Sequence, residues 1–342
     1  VQFNEHPHGA MVLSCMGCNY PGMMIGTAPL ADFWLLRSED GATEYIIEEY
    51  NWVSAAEFAD SVGADVINSS LGYTDFNDES QNHSYSDMDG DTAPITIGAD
   101  MAAKKGILVV NSNGNEGNNP WYYMGAPADG DSVLGIGAVD GSGIYASFSS
   151  HGPTYDGRIK PDVSAQGSGV LVSDPYSGGF GYSGGTSFSS PIIAGMAACL
   201  WQANPSMTNM QLADAIRKSA SQYDSPDEML GYGIPDFVLA NNILTIISNP
   251  GENNSLARVY PNPFSSSFTF ELAGQEGSNS RIENITIEIM DITGKTVGSQ
   301  VIKSNNSFET KVEILQNSPA GIYMLKIKSG ETQSLLKLVK QD

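Results

Sequence analysis

The chain of 342 residues exceeds the roughly 100–200 residues usual for one domain, which points to two domains, one of them with a sizeable core. Its formal net charge is −23 and is unevenly spread: residues 1–250 hold 7 Lys and Arg against 29 Asp and Glu, residues 251–342 hold 9 against 10. Such acidity argues against nucleic acid and anionic membrane surfaces as partners, and no apolar run reaches the roughly 18 residues of a transmembrane segment.

The opening Val1-Gln2-Phe3-Asn4-Glu5-His6 has neither a basic start nor an apolar stretch, so it reads as an interior point of a longer precursor rather than a signal peptide. Cys15 and Cys18 have C-x-x-C spacing, but no neighbouring Cys or His completes a zinc tetrahedron. They read as small packed side chains or as one local disulfide; Cys199 is the third cysteine. Short apolar runs at Phe33–Leu36, Asp65–Asn68, Ile107–Asn111 and Val133–Val139 predict buried strands. They alternate with predicted helices at Val53–Val62, Ile95–Lys105 and Ser189–Ala203. That alternation is the pattern of a parallel sheet with helices on both faces, an α/β fold whose sites gather at the carboxyl ends of the strands. Residues 204–246 close this domain, with an amphipathic run at Met210–Ala220. Residues 247–256, dense in turn formers, predict a linker. Beyond it, Ser267–Leu272, Ile285–Asp291, Glu309–Ile314 and Ile322–Ile327 alternate apolar and polar residues, which predicts a small all-β sandwich of about seven strands over 257–342.

The sharpest chemical signal is Gly184-Gly185-Thr186-Ser187-Phe188-Ser189-Ser190-Pro191, followed by a helix rich in small residues. The glycines permit a sharp turn and close approach of a ligand. Pro191 fits a first helical turn, where its missing N–H costs nothing. The helix start favours negative charge developing beside the Ser187 hydroxyl. This string resembles the nucleophile motif of the subtilisin family. His8-Gly9-Ala10-Met11-Val12 is similar to the family's His-Gly-x-x-Val motif, while His6, followed only by proline, reads as an exposed loop side chain. Gly114-Asn115-Glu116-Gly117, after an apolar strand, resembles the segment whose asparagine stabilises the oxyanion. The resemblance implies a secreted serine endopeptidase with Ser187 as nucleophile, His8 as general base, and Asn115 with the Ser187 N–H as oxyanion donors. It also implies that Ser70, Leu71 and Gly72 pair with an extended peptide, that Ser112, Asn113 and Gly114 form the facing wall of the first pocket, and that His151 is structural.

Only seven residues precede His8, and none is Asp, so the family's orienting carboxylate is expected outside this chain. The catalysis needs no cofactor. Asp87, Asp89 and Asp91 are spaced as hard oxygen ligands for a structural Ca²⁺ of the kind relatives often carry, but without the bidentate Glu of a calcium loop a solvated acidic stretch is the stronger reading. Val259-Tyr260-Pro261-Asn262-Pro263-Phe264, Ile289–Lys295, Ala320-Gly321-Ile322-Tyr323 and Leu335–Lys340 together resemble the C-terminal sorting domain of the type IX secretion pathway. That resemblance implies export across the outer membrane to the surface or medium, with the secretion machinery as partner. The rival from another class is a non-catalytic binding or adhesion protein on a protease fold.

Overall fold

The computed structural model describes residues 6–248, 257–272, 284–291, 294–303, 309–313, 315–316, 318–329 and 332–341. The predicted linker positions 249–256, and positions 292–293 and 314 within predicted strands or motifs, lie outside them. The chain forms two compact units, Val1–Leu244 and Thr245–Asp342.

The first unit opens with helix α1 (His8–Gly17) and a short hairpin, β1 (Asn19–Tyr20) with β2 (Met24–Ile25). Helix α2 (Ile47–Ser61) leads to β3 (Val66–Ser69), helix α3 (Pro94–Lys104) to β4 (Leu108–Ser112), and then come β5 (Val133–Val139) and β6 (Val163–Gln166). These four strands form a parallel sheet in the order β3-β4-β5-β6. Strand residues alternate between its faces, because side chains in a strand have period two. Leu108 and Val110 meet Ile193, Ala197, Leu212 and Ile216 on one face, whereas Val109 meets Trp52, Ile95, Ala99 and Met124 on the other. The hairpin β7 (Val170–Asp174) and β8 (Gly179–Ser183) delivers the chain to α4 (Thr186–Ala203), followed by α5 (Asn209–Lys218) and α6 (Phe237–Ser248). Helix α5 starts at a capping box: the Gln211 N–H donates to Thr208 Oγ1 at 3.2 Å and the Thr208 N–H to Gln211 Oε1 at 2.9 Å.

Two readings of the sequence are corrected here. Phe33–Leu36 is not a strand, although its residues are apolar; among the described residues the sheet ends at β3, and Trp34 and Leu35 stand 62% and 71% exposed. Pro191 is not in a first helical turn, because α4 begins at Thr186 and places the proline inside the helix.

In the second unit the described residues form seven antiparallel strands in two sheets. One has the order β13-β10-β9, with β9 (Ala257–Tyr260), β10 (Phe268–Leu272) and β13 (Glu309–Val312). The other has the order β12-β11-β14-β15, with β11 (Asn284–Asp291), β12 (Thr296–Lys303), β14 (Gly321–Ser329) and β15 (Thr332–Lys340). Alternate residues Ile285, Ile287, Ile289, Leu325, Ile327, Leu336 and Leu338 fill its core. The Pro-Asn-Pro segment is tied to the last strand: Asn262 Nδ2 donates to the Lys337 carbonyl at 2.7 Å and Asn262 Oδ1 accepts from the Val339 N–H at 2.8 Å.

Candidate active site

Ser187 lies in the first turn of α4, just past the carboxyl ends of the sheet strands, and is nearly buried. The residue capping this helix is Gly185, at φ +146°, a backbone conformation that a side chain would resist. His8 opens α1, which packs on α4 through Val12, Cys15 and Phe188. The His8 ring stands 6.0 Å from the ring of Phe188, the residue after Ser187. The structure thus brings His8 beside the residue that follows Ser187, from positions far apart in sequence. Burial lowers the pKa of His8, and the neighbouring His6 lowers it further. His6 is exposed, as expected, and its Nδ1 accepts the His8 N–H at 3.3 Å. The neutral imidazole, the form that can take a proton, is therefore favoured near pH 7.

Asn115 comes off the carboxyl end of β4. Its Oδ1 accepts two bonds from Thr186, from the N–H at 2.9 Å and from Oγ1 at 3.0 Å. A backbone N–H can only donate, so the side-chain oxygen must face Thr186, and the Asn115 NH₂ is the group left to donate outward. Thr186 thereby orients Asn115 beside Ser187, a contact the sequence reading missed although the residue sits inside the quoted motif. Gly114, at φ +106°, makes the turn that aims Asn115; the Ser150 N–H donates to its carbonyl at 3.0 Å.

The two expected pocket walls converge on a residue that spacing could not locate. A Cβ on Gly72 would lie 4.0 Å from Gly125 Cα, and one on Gly114 would lie 3.8 Å from Gly125 N. Gly125 thus lies between the two segments. Ser112 and Asn113 are buried, and Asn113 Nδ2 donates to the Ser150 carbonyl at 2.8 Å. Asn111 Nδ2 donates to the Leu71 carbonyl at 3.0 Å and so fixes one segment against the other. His151 is buried, stacks on Tyr122 at 4.0 Å and meets the Tyr145 hydroxyl at 2.8 Å.

The acidic stretch does not gather its carboxylates. Asp87 accepts from Ser84, and Asp89 accepts from Asp91 N–H and Thr92. Among the described residues three carboxylates come together only at Glu39, Glu44 and Glu48. Burial and then the charges of Glu39 and Glu48 push Glu44 up to about 7.

The family model described as "Subtilase family" matches residues 3–233. The chain belongs to the subtilase family. Its similarity to subtilisin E of Bacillus subtilis is 33% identity over 200 residues, 58% of this chain and 46% of the relative. Subtilisin Savinase of Lederbergia lenta is 28% identical over 216 residues, 62% of this chain and 68% of that protein. The chain therefore spans about half the length of the first of these subtilisins. Among solved structures, the self-cleaved protease domain of PatA superposes with a TM-score of 0.57 at 23% identity, covering 72% of this chain and 86% of that one, which shows the subtilase fold. MycP1 from the ESX-1 type VII secretion system gives 0.54 at 21%, covering 68% and 70%. Residues 258–341 match the model "Secretion system C-terminal sorting domain", which marks this subtilase for export to the surface or medium. No helix among the described residues is long and apolar enough to cross a membrane.

Proposed function

We propose that this subtilase is a serine endopeptidase acting on extended polypeptide and exported by the type IX secretion machinery. The observation that carries the reading is the Asn115–Thr186 clamp beside Ser187, since it leaves one amide donor free where acyl transfer develops negative charge. Neutral His8 takes the Ser187 proton as Oγ attacks the peptide carbonyl, and the imidazolium returns it to the leaving amine. The Asn115 NH₂ and the Ser187 N–H hold the oxyanion, and removing the asparagine donor costs roughly 10²–10³ in kcat, the scale known for this family. The substrate backbone adds as a strand along Ser70–Gly72 and faces Ser112–Gly114. No step requires a cofactor.

The orienting Asp belongs to a segment outside these 342 residues. A groove of about 1920 Å³ supports this: His8, the edge of β3 and the irregular run Leu30–Leu36 all line it. An unpaired strand edge facing exposed apolar side chains is the environment that a further strand would fill. A binding protein without turnover is the second reading. One observation favours it: among the described residues, burial and His6, and no carboxylate, set the pKa of His8.

A fluorophosphonate probe, which reacts only with an activated serine, tests the proposal. Labelling that disappears in both Ser187→Ala and His8→Ala is the expected result. Labelling that persists in Ser187→Ala refutes the nucleophile assignment. A precursor that includes the upstream segment and still fails to label favours the binding protein.

A further inference from the structure

A proline beyond the first turn of a helix leaves a carbonyl four residues back without a partner, because proline has no N–H to donate and its ring crowds that oxygen. Pro191 is the sixth residue of α4, so the carbonyl it abandons is that of Ser187. That oxygen is not left unpaired. Ser70 Oγ, from the segment following β3, donates to it at 2.8 Å. A serine hydroxyl has one proton, and here it is spent on Ser187. The Ser70 oxygen accepts from Asn68 Nδ2 at 3.4 Å, and Asn68 Oδ1 accepts from Ser190 Oγ at 2.8 Å. A closed polar circuit thus leaves α4 at Ser190, crosses the end of β3, and returns to α4 at the nucleophile.

We infer that Ser70 is a positioning residue whose hydroxyl replaces the N–H that Pro191 lacks and fixes the backbone of Ser187. Most residues at position 191 would pair that carbonyl within the helix and leave the serine referenced to α4 alone. Proline transfers the bond to the segment that is read as holding substrate. The nucleophile and the peptide are then set by one rigid piece, which is what attack at short range demands. The inference rests on Ser187 being the nucleophile.

The test measures kcat and KM, together with Tm, in the active full-length protein for Ser70→Ala, Pro191→Ala and the double variant. Ser70→Ala is expected to lower kcat about tenfold with KM changed less than about twofold, the signature of a lost transition-state arrangement rather than a lost substrate contact. Pro191→Ala restores an N–H for the Ser187 carbonyl, so adding Ser70→Ala to it should cost less than about twofold. An unchanged kcat in Ser70→Ala, a rise in KM alone, or the same loss in both backgrounds overturns the inference. Should Ser70→Ala not fold, Ser70→Cys carries the same test with a weaker donor of similar size. Ser187→Ala runs beside them: turnover there removes the nucleophile reading and this inference together. A dead Ser187→Ala with an unaffected Ser70→Ala removes this inference alone.

Discussion

On one side of β4 the parallel sheet continues through β5, all of whose residues are buried, to β6 and a dense ionic cluster; on the other side β3 is the last strand among the described residues, and only its Ser69 is buried. Next to that edge Leu30, Trp34 and Leu35 are 89%, 62% and 71% exposed. The two flanks are comparably apolar in sequence. What separates them is a neighbour: a run of Val, Ile and Leu becomes strand when another strand satisfies its backbone, and otherwise stays an extended segment with its side chains in water.

The completed flank is the one most easily damaged. Asp162 is buried between Lys160 Nζ at 2.9 Å and Arg217 Nε at 2.7 Å, and it also accepts the Gly135 N–H at 2.7 Å. Burial works against its charge, but Arg217 and Lys160 outweigh that and hold its pKa below the usual carboxylate value. Asp162→Asn leaves two buried cations without their counter-charge and is expected to cost about 3–5 kcal/mol in urea unfolding. Because the folded pKa is depressed, this contribution is full above the ordinary carboxylate range and is lost as pH falls through the folded value, so the gap between wild type and variant should close in acid.

The open flank should respond in the opposite way. Leu35→Asp in the 342-residue chain is expected to change stability by no more than about 0.5 kcal/mol, since the side chain already faces water. In a precursor whose upstream strand fills the groove, the same substitution buries an unpaired charge and should cost several kcal/mol. Equal small effects in both forms would mean that nothing occupies the groove. The smallest expected effect concerns His8, the proposed base. Burial accounts for most of the lowered His8 pKa and His6 for the rest. Removing that like charge in His6→Ala raises the His8 pKa, so the acid limb of the kcat/KM profile should move to higher pH.

The same contrast explains what could be read before the fold was known. The glycine turn that leads Ser187 into a helix was legible because it is written in one contiguous string, and the turn at Asn115 because a strand breaking into glycines announces itself. Strands β4 and β5 were legible from their apolar runs, since both neighbours are present. Phe33–Leu36 was misread because strand formation depends on a partner that no local pattern reports. Gly125 was missed because its place is a meeting of three segments, and the ring of Lys160, Asp162 and Arg217 because nothing in a sequence reveals that a charge will be enclosed. Pro191 was placed one turn too early because the helix start is set by the glycine turn at Gly185, not by proline.

The acidic surface has a bearing on the exposed apolar run that its chemistry alone does not suggest. Copies of this chain carry −23 each and repel one another while the Debye length is about 10 Å, near 0.1 M salt. Near 1 M that length shrinks to about 3 Å, shorter than the reach of Trp34 and Leu35, and the bare β3 edges are no longer held apart. Colloidal stability of the isolated chain is therefore an electrostatic property, and salting should drive it into self-association well before it unfolds.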